Sequence, residues 1–259
     1  MSYGKNEQEQ VRKRLWAHGE WDLVFLDEVA STQDSTRELA ASRRAKGIDP
    51  DKLIVVACNQ TQGRGRQDHK WNQEPGSGIS FSVLLRPEDQ YPGLLLPILV
   101  AAAAWKPLEL RLKNSLRIKW PNDLLIAEKK LCGILIESES SDSWICGVGI
   151  NVNRLRFPPG LEATATSLRK ELGQEQSRAE ILGDVLETLA SYVACAEQGN
   201  RLTVQQAFME GTRLQHELVS VESCGEEFLG RLEEITPEGV ALTARHFALG
   251  EVQAIRAIR

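Results

Sequence analysis

An α+β fold is predicted for this chain of 259 residues, and three observations predict it. Strand-like and helix-like runs follow one another without the regular alternation of a βαβ winding. One clean apolar helical stripe runs through 177–196. From about residue 212 the sequence breaks into short strands separated by polar turns, the pattern of a small β-barrel.

In chain order, 1–20 is polar and charged and reads as a short lead-in, polar or helical. It has no apolar segment for a signal peptide and is too short for a helix-turn-helix. Residues 21–29 alternate and carry Val, Phe and Leu, so they read as a strand. Ser31 or Thr32 then caps a run of helix formers reaching Ala45. A continuous apolar run at 53–58 is a strand buried on both faces, and 61–78 is a long loop rich in glycine. A strand at 79–85 and a helix at 94–113 follow, then short strands at 117–120, 124–127, 130–138 and 144–152. The Pro-, Gly- and Thr-rich stretch 153–173 is a further loop. Ser177 and Glu180 have capping-box spacing ahead of the stripe Leu182, Val185, Leu186, Leu189 and Val193. Strands are expected at 218–221, 228–235, 240–243 and 251–255.

Composition narrows the function. With 42% hydrophobic and 26% charged residues the chain is an ordinary globular protein. A net charge of −5 is the opposite of a dedicated nucleic-acid binder, so no DNA partner is expected. The longest apolar stretch, 94–105, is far below the roughly 20 residues that span a bilayer, so no membrane partner is expected and the protein reads as cytoplasmic. Five scattered cysteines without a C-x-x-C pair read as reduced thiols, and four scattered histidines offer no metal centre. The P-loop, the G-x-G-x-x-G fingerprint and the G-x-S-x-G elbow are all missing.

Four segments remain that carry chemistry. In Gly63-Arg64-Gly65-Arg66, entered through Asn59-Gln60-Thr61-Gln62 and ending at Trp71, glycines admit a ligand close to the backbone and arginines offer planar donors to carboxylate or phosphate. A solvated basic turn or an RNA-contacting element would look alike, but this one is unrepeated, strand-anchored and closed by a Trp. Lys119-Trp120-Pro121-Asn122-Asp123 is either a structural hairpin turn or a site where Asp123 meets a nucleotide's Mg²⁺ or ribose. In Lys129-Lys130-Leu131-Cys132-Gly133 the strand glycine marks a close approach. Gly147-Val148-Gly149-Ile150-Asn151 is a small-residue strand ending on an asparagine suited to a nucleotide base.

Together and in this order, GRGR, KWPND, KLCGILIE and GVGINVN resemble the biotin–protein ligases, or biotin–[acetyl-CoA-carboxylase] ligases, of the short type without an N-terminal DNA-binding domain. The resemblance spans about 21–259. It implies a class II synthetase-like mixed sheet flanked by helices at 21–211, following the lead-in 1–20, and a small SH3-like β-barrel at 212–259. It further implies that ATP, with Mg²⁺, and biotin yield biotinyl-5′-AMP, whose biotin passes to one lysine of a biotin carrier domain.

By the same resemblance Ser31, Thr32 and Gln33 form the biotin-contacting turn, with Gln in place of the usual Asn or Asp, and Gln60 bonds the biotin head group. Arg64, Gly65 and Arg66 close over biotin and the adenylate phosphate. Lys130, with Gly133 beneath it, lies between biotin carboxylate and phosphate. Lys119, Trp120, Asn122, Asp123 and Asn151 serve the nucleotide, Asp123 also as the carboxylate for Mg²⁺. The family's loop usually reads G-R-G-R-x-G-R-x-W, whereas Asp68 and His69 stand here. Either Asp68 faces solvent or pairs with Lys70, or the loop grips an anion less well. The rival readings are a lipoate ligase or octanoyltransferase on the same scaffold, and a biotin- or RNA-binding module without turnover.

Overall fold

The computed structural model describes residues 2–66, 69–87 and 95–258, so Asp68 and the start of the helix expected from Leu94 lie outside it. Twelve strands and six α-helices are assigned among these residues. β1 (Asp22–Val29), β2 (Leu53–Gln60), β3 (Gly78–Leu85), β4 (Leu116–Lys119), β5 (Asp123–Ile126), β6 (Lys129–Ser138) and β7 (Trp144–Asn151) form one mixed sheet in the order β1-β2-β3-β7-β6-β5-β4. Only β1 and β2 pair in parallel, across the crossover helix α2 (Thr32–Arg44).

The alternation along β2 divides the core. Leu53 and Val55 join Ala40 of α2 in one apolar cluster, while Ile54 and Val56 enter the larger cluster on the other face. That face is covered by α3 (Leu96–Leu112) and α5 (Arg178–Glu197), with α6 (Arg201–Thr212) packed on α3. α3 is buried nearly all round, which suits its almost unbroken run of Leu, Val, Ile and Ala. The five apolar residues of the stripe in α5 are all buried, and its N-cap Ser177 accepts from the Glu180 amide as the spacing requires. α1 (Lys5–Trp16) lays Val11 and Leu15 against α5.

The strands β8 (Leu218–Ser223), β9 (Glu226–Ile235), β10 (Gly239–Leu242), β11 (Arg245–Ala248) and β12 (Val252–Ala257) form the C-terminal antiparallel sheet, in the order β11-β10-β9-β8-β12. Its β12 meets the large sheet where the Trp120 indole donates to the Val252 carbonyl at 3.3 Å. Two elements depart from expectation. The helix α6 and the four-residue strand β11, of sequence Arg-His-Phe-Ala, were not expected. The stretch 153–173 also holds a short helix, α4 (Leu168–Leu172), capped by Ser167.

Gly211 marks how closely α6 presses on the sheet. A Cβ added there would lie 2.5 Å from Ile118 Cδ1 and 3.0 Å from Trp105 Cδ2. Gly211→Ala should therefore cost about 1–3 kcal/mol by overpacking, read as a lowered denaturant midpoint at unchanged slope.

Candidate active site

Every residue that the resemblance assigns to biotin or the nucleotide lines one cleft of about 730 Å³. Its floor is bare backbone. Gly133 of β6 pairs with Gly149 of β7, and the Trp71 side chain lies on that pair. A Cβ at Gly149 would fall 2.7 Å from Trp71 Nε1, and one at Gly133 would meet Lys130 Cε at 2.7 Å and Trp71 Cζ3 at 3.1 Å. Any larger residue would displace the indole or the lysine.

One end of the cleft is set by the N-terminus of α2. Thr32 donates its backbone amide to Gln60 Oε1 at 2.8 Å and its hydroxyl to the same oxygen at 3.1 Å, and the hydroxyl also bonds Ser82 Oγ at 2.7 Å. With that oxygen committed, the NH2 of Gln60 is the end suited to a ligand. Gln33 donates to the Leu135 carbonyl at 2.9 Å, lies against Gly147, and keeps a buried Oε1 with no hydrogen-bond partner. Donor and acceptor amides side by side suit a small planar head group of urea type.

The glycine–arginine segment folds back on itself. The Gly65 amide donates to the His69 carbonyl at 2.7 Å, that of Trp71 to Gly63 at 2.9 Å, and Arg64 bridges to Lys70 in antiparallel fashion. Arg64 lines the cleft, but its guanidinium is committed. It reaches Asp34 at 2.6 Å and Glu137 at 3.2 Å, and Arg37 contacts the same two carboxylates at 3.3 Å each. The four side chains close a ring of alternating charge that ties the loop to α2 and β6. The Asp34 bond raises the Arg64 pKa above its ordinary value, against the desolvation that lowers it, and the Glu137 charge adds to the rise. Arg66, two residues on, donates to Asn122 Oδ1 at 3.3 Å, and Asn122 is itself fixed by donating to the Ile134 carbonyl at 2.6 Å.

Lys130 stands at the centre, its Nζ 2.6 Å from Asp123 Oδ1 and 6.0 Å from the Trp71 ring centroid. Its backbone pairs with the segment after β7. Its amide donates to the Thr164 carbonyl at 2.8 Å, and its carbonyl accepts from Thr166 at 3.0 Å and Asn151 Nδ2 at 3.4 Å. Beside it Cys132 is fully buried, which pushes its thiol pKa up and keeps it protonated, so it is no nucleophile. Among the described residues no cluster of His, Cys, Asp and Glu could hold a metal by itself. Asp123 offers one carboxylate beside Lys130, which fits a Mg²⁺ that arrives on phosphates and takes one protein ligand.

Several lining residues carried no signal. Gln253, Ala254, Ile255 and Arg256 reach the cleft from the C-terminal sheet, brought there by the position of β12 beside Trp120.

Residues 29–152 match the model of the biotin/lipoate A/B protein ligase family. The bifunctional ligase/repressor BirA of Bacillus spizizenii is 38% identical over 173 residues, 63% of this chain and 51% of that protein. The biotin–[acetyl-CoA-carboxylase] ligase of Mycobacterium tuberculosis is 36% identical over 151 residues, 55% of this chain and 54% of that one. The chain thus spans about half the length of these curated relatives. Among solved structures, the biotin protein ligase of Aquifex aeolicus in complex with biotin and ATP superposes with a TM-score of 0.75 at 28% identity, over 92% of this chain and 99% of that one.

The charge ring is half exposed, so each of its pairs contributes about 0.2–1 kcal/mol. Replacing both acids, Asp34→Asn with Glu137→Gln, should speed tryptic cleavage after Arg64 or Lys70 about 2- to 30-fold, measured by mass spectrometry. Raised salt should reproduce part of that effect in the unaltered chain.

Proposed function

We propose that this chain is a biotin–protein ligase that activates biotin with ATP and transfers it to a lysine of a biotin carrier domain. One observation carries the proposal: segments far apart in sequence bring Lys130, Arg66, Asp123 and the Thr32–Gln60 pair into the same cleft. In this reading residues 21–211 are the catalytic unit, and 212–259 closes the cleft through β12. The cytoplasm, where ATP and reduced cysteines coexist, is the compartment that suits it, and no helix among the described residues is long and apolar enough to cross a membrane.

In the first step a carboxylate oxygen of biotin attacks the α-phosphorus of ATP, the α–β bond breaks and pyrophosphate leaves. Two anions must meet, and at about 4 Å they repel by roughly 4 kcal/mol at an effective dielectric near 20. Lys130 is the ammonium placed to offset this, exchanging Asp123 for the incoming oxygens, while Arg66 supplies a planar cation from the loop. A Mg²⁺ bound with ATP would add charge neutralisation on the phosphates, with Asp123 as its protein ligand. Gln60 and the orphan oxygen of Gln33 hold the ureido head, and Trp71 covers the ring system. Asn151 and Phe157 flank the nucleotide.

In the second step the acceptor lysine's amine attacks the acyl carbon, AMP leaves and the nitrogen loses a proton. No protein nucleophile is needed because the adenylate is already activated, and alignment supplies much of the rate.

The test is to mix the protein with biotin, ATP, Mg²⁺ and a biotin carrier domain and weigh the carrier. A mass gain dependent on biotin and ATP is expected. Pyrophosphate exchange driven by lipoate and not by biotin would move the chain to the lipoate branch. Lys130→Ala should lower biotin-dependent exchange at least tenfold with unchanged circular dichroism, and near-normal exchange would remove Lys130 from its role. Arg66→Ala should slow exchange similarly and also let adenylate escape, seen as biotin on unrelated lysines.

A further inference from the structure

One titratable side chain of the cleft is left unused by the proposed reaction. His69 closes the hairpin of the glycine–arginine segment. Its carbonyl accepts from the Gly65 amide at 2.7 Å, and its own amide donates to the Arg66 carbonyl at 3.1 Å. The chain runs extended through the bridge between Arg64 and Lys70, and side chains alternate there. His69 and Trp71, two residues apart, therefore share one face of the hairpin, and both line the cleft.

The ring is held in one tautomer. His69 Nδ1 lies 2.9 Å from the Arg66 carbonyl oxygen, which can only accept. In the neutral imidazole the proton must sit on Nδ1, and Nε2 carries the lone pair. Among the described residues no carboxylate forms an ion pair with this ring, whereas the other groups of the cleft that could take up a proton are engaged. Asp123 lies 2.6 Å from Lys130, and Glu128 lies 2.6 Å from Arg117. Arg66 and Lys70 on the same hairpin, and Lys119 and Lys130 across the cleft, are donors without a lone pair. His69 is also exposed, and an acceptor lysine enters the cleft from solvent.

We propose that His69 Nε2 takes the proton that the acceptor lysine loses in the second step, an inference that rests on the proposed transfer to a carrier. The lone pair of the lysine amine forms the C–N bond to the acyl carbon, and one N–H proton moves to Nε2. The acyl C–O bond breaks, and its electron pair goes to the AMP phosphate. The resulting imidazolium keeps its Nδ1–H on the Arg66 carbonyl and returns the Nε2 proton to solvent. The backbone carbonyl thus orients the base, the part that a third group plays wherever a histidine works as one.

Single-turnover transfer from enzyme-bound biotinyl-5′-AMP to a biotin carrier domain, followed by weighing the carrier, isolates the second step. Biotin-dependent pyrophosphate exchange follows the first. His69→Gln retains a donor for the Arg66 carbonyl and cannot take up a proton. A positioned base typically contributes about 10²–10⁴-fold, so this variant should slow transfer at least tenfold while exchange stays within threefold. Exchange calls on Arg66 of the same hairpin, so it also reports whether the hairpin is intact. His69→Arg puts in the residue usual at this place in the loop, a cation without a lone pair, and should transfer as slowly as His69→Gln. Transfer slowed less than tenfold in His69→Gln overturns the inference. So does transfer in His69→Arg above one tenth of the unaltered rate, because charge and not proton uptake would then be what the position supplies. An equal loss of exchange and transfer in His69→Gln overturns it too, by making the residue a structural one. Each of these leaves the proposed activity standing. If the unaltered chain forms no adenylate from biotin and ATP, the activity itself falls and this inference with it.

Discussion

A strip of sheet without side chains is the constraint on which the cleft is built. Gly133 and Gly149 face each other across β6 and β7, and only there can an indole and a lysine stem lie directly on strand backbone. Trp71 seated on this strip fixes the end of the glycine–arginine segment. Lys130 bent over it brings an ammonium to the middle of the cleft instead of leaving it in solvent. The rest of the cleft is arranged around those two side chains.

Charge in the cleft is balanced before any ligand arrives. Lys130 is matched by Asp123, and Arg64 by Asp34 and Glu137, so the chain can collect cations in one place while carrying a net charge of −5. The two matches differ in kind. Asp123 is one carboxylate on one ammonium, which an anionic substrate can replace by competition. Arg64 sits in a closed ring with Arg37, where losing one contact leaves another, and that suits a tether more than a phosphate grip. Of the two arginines in GRGR, Arg66 is thus the one whose partner is neutral and easily exchanged.

The elements whose burial is periodic were readable in order and type. The apolar run in β2, the capped stripe of α5 and the nearly all-apolar α3 each state their environment within a dozen residues. Neither α6, whose N-cap makes no side-chain bond, nor β11, only four residues long, did so. The site was legible to the extent that its chemistry is written in short segments: glycines where backbone is approached, arginines and lysines where anions gather. Which of those cations face the ligand was not legible, because Asp34 and Glu137 lie 30 and 73 residues from Arg64 and nothing local marks them as its partners.

Local periodicity was enough to give the α+β class and the run of strands, and the resemblance carried by four short motifs gave the set of residues that converge on one cleft. The first follows from a short-range rule, the alternation of side chains along a strand. The docking of β12 beside Trp120 and the ring that ties Arg64 to Asp34 and Glu137 came only with the folded chain. Each joins residues that meet through sheet order and loop closure, and such pairings depend on the whole chain having found one arrangement of its core.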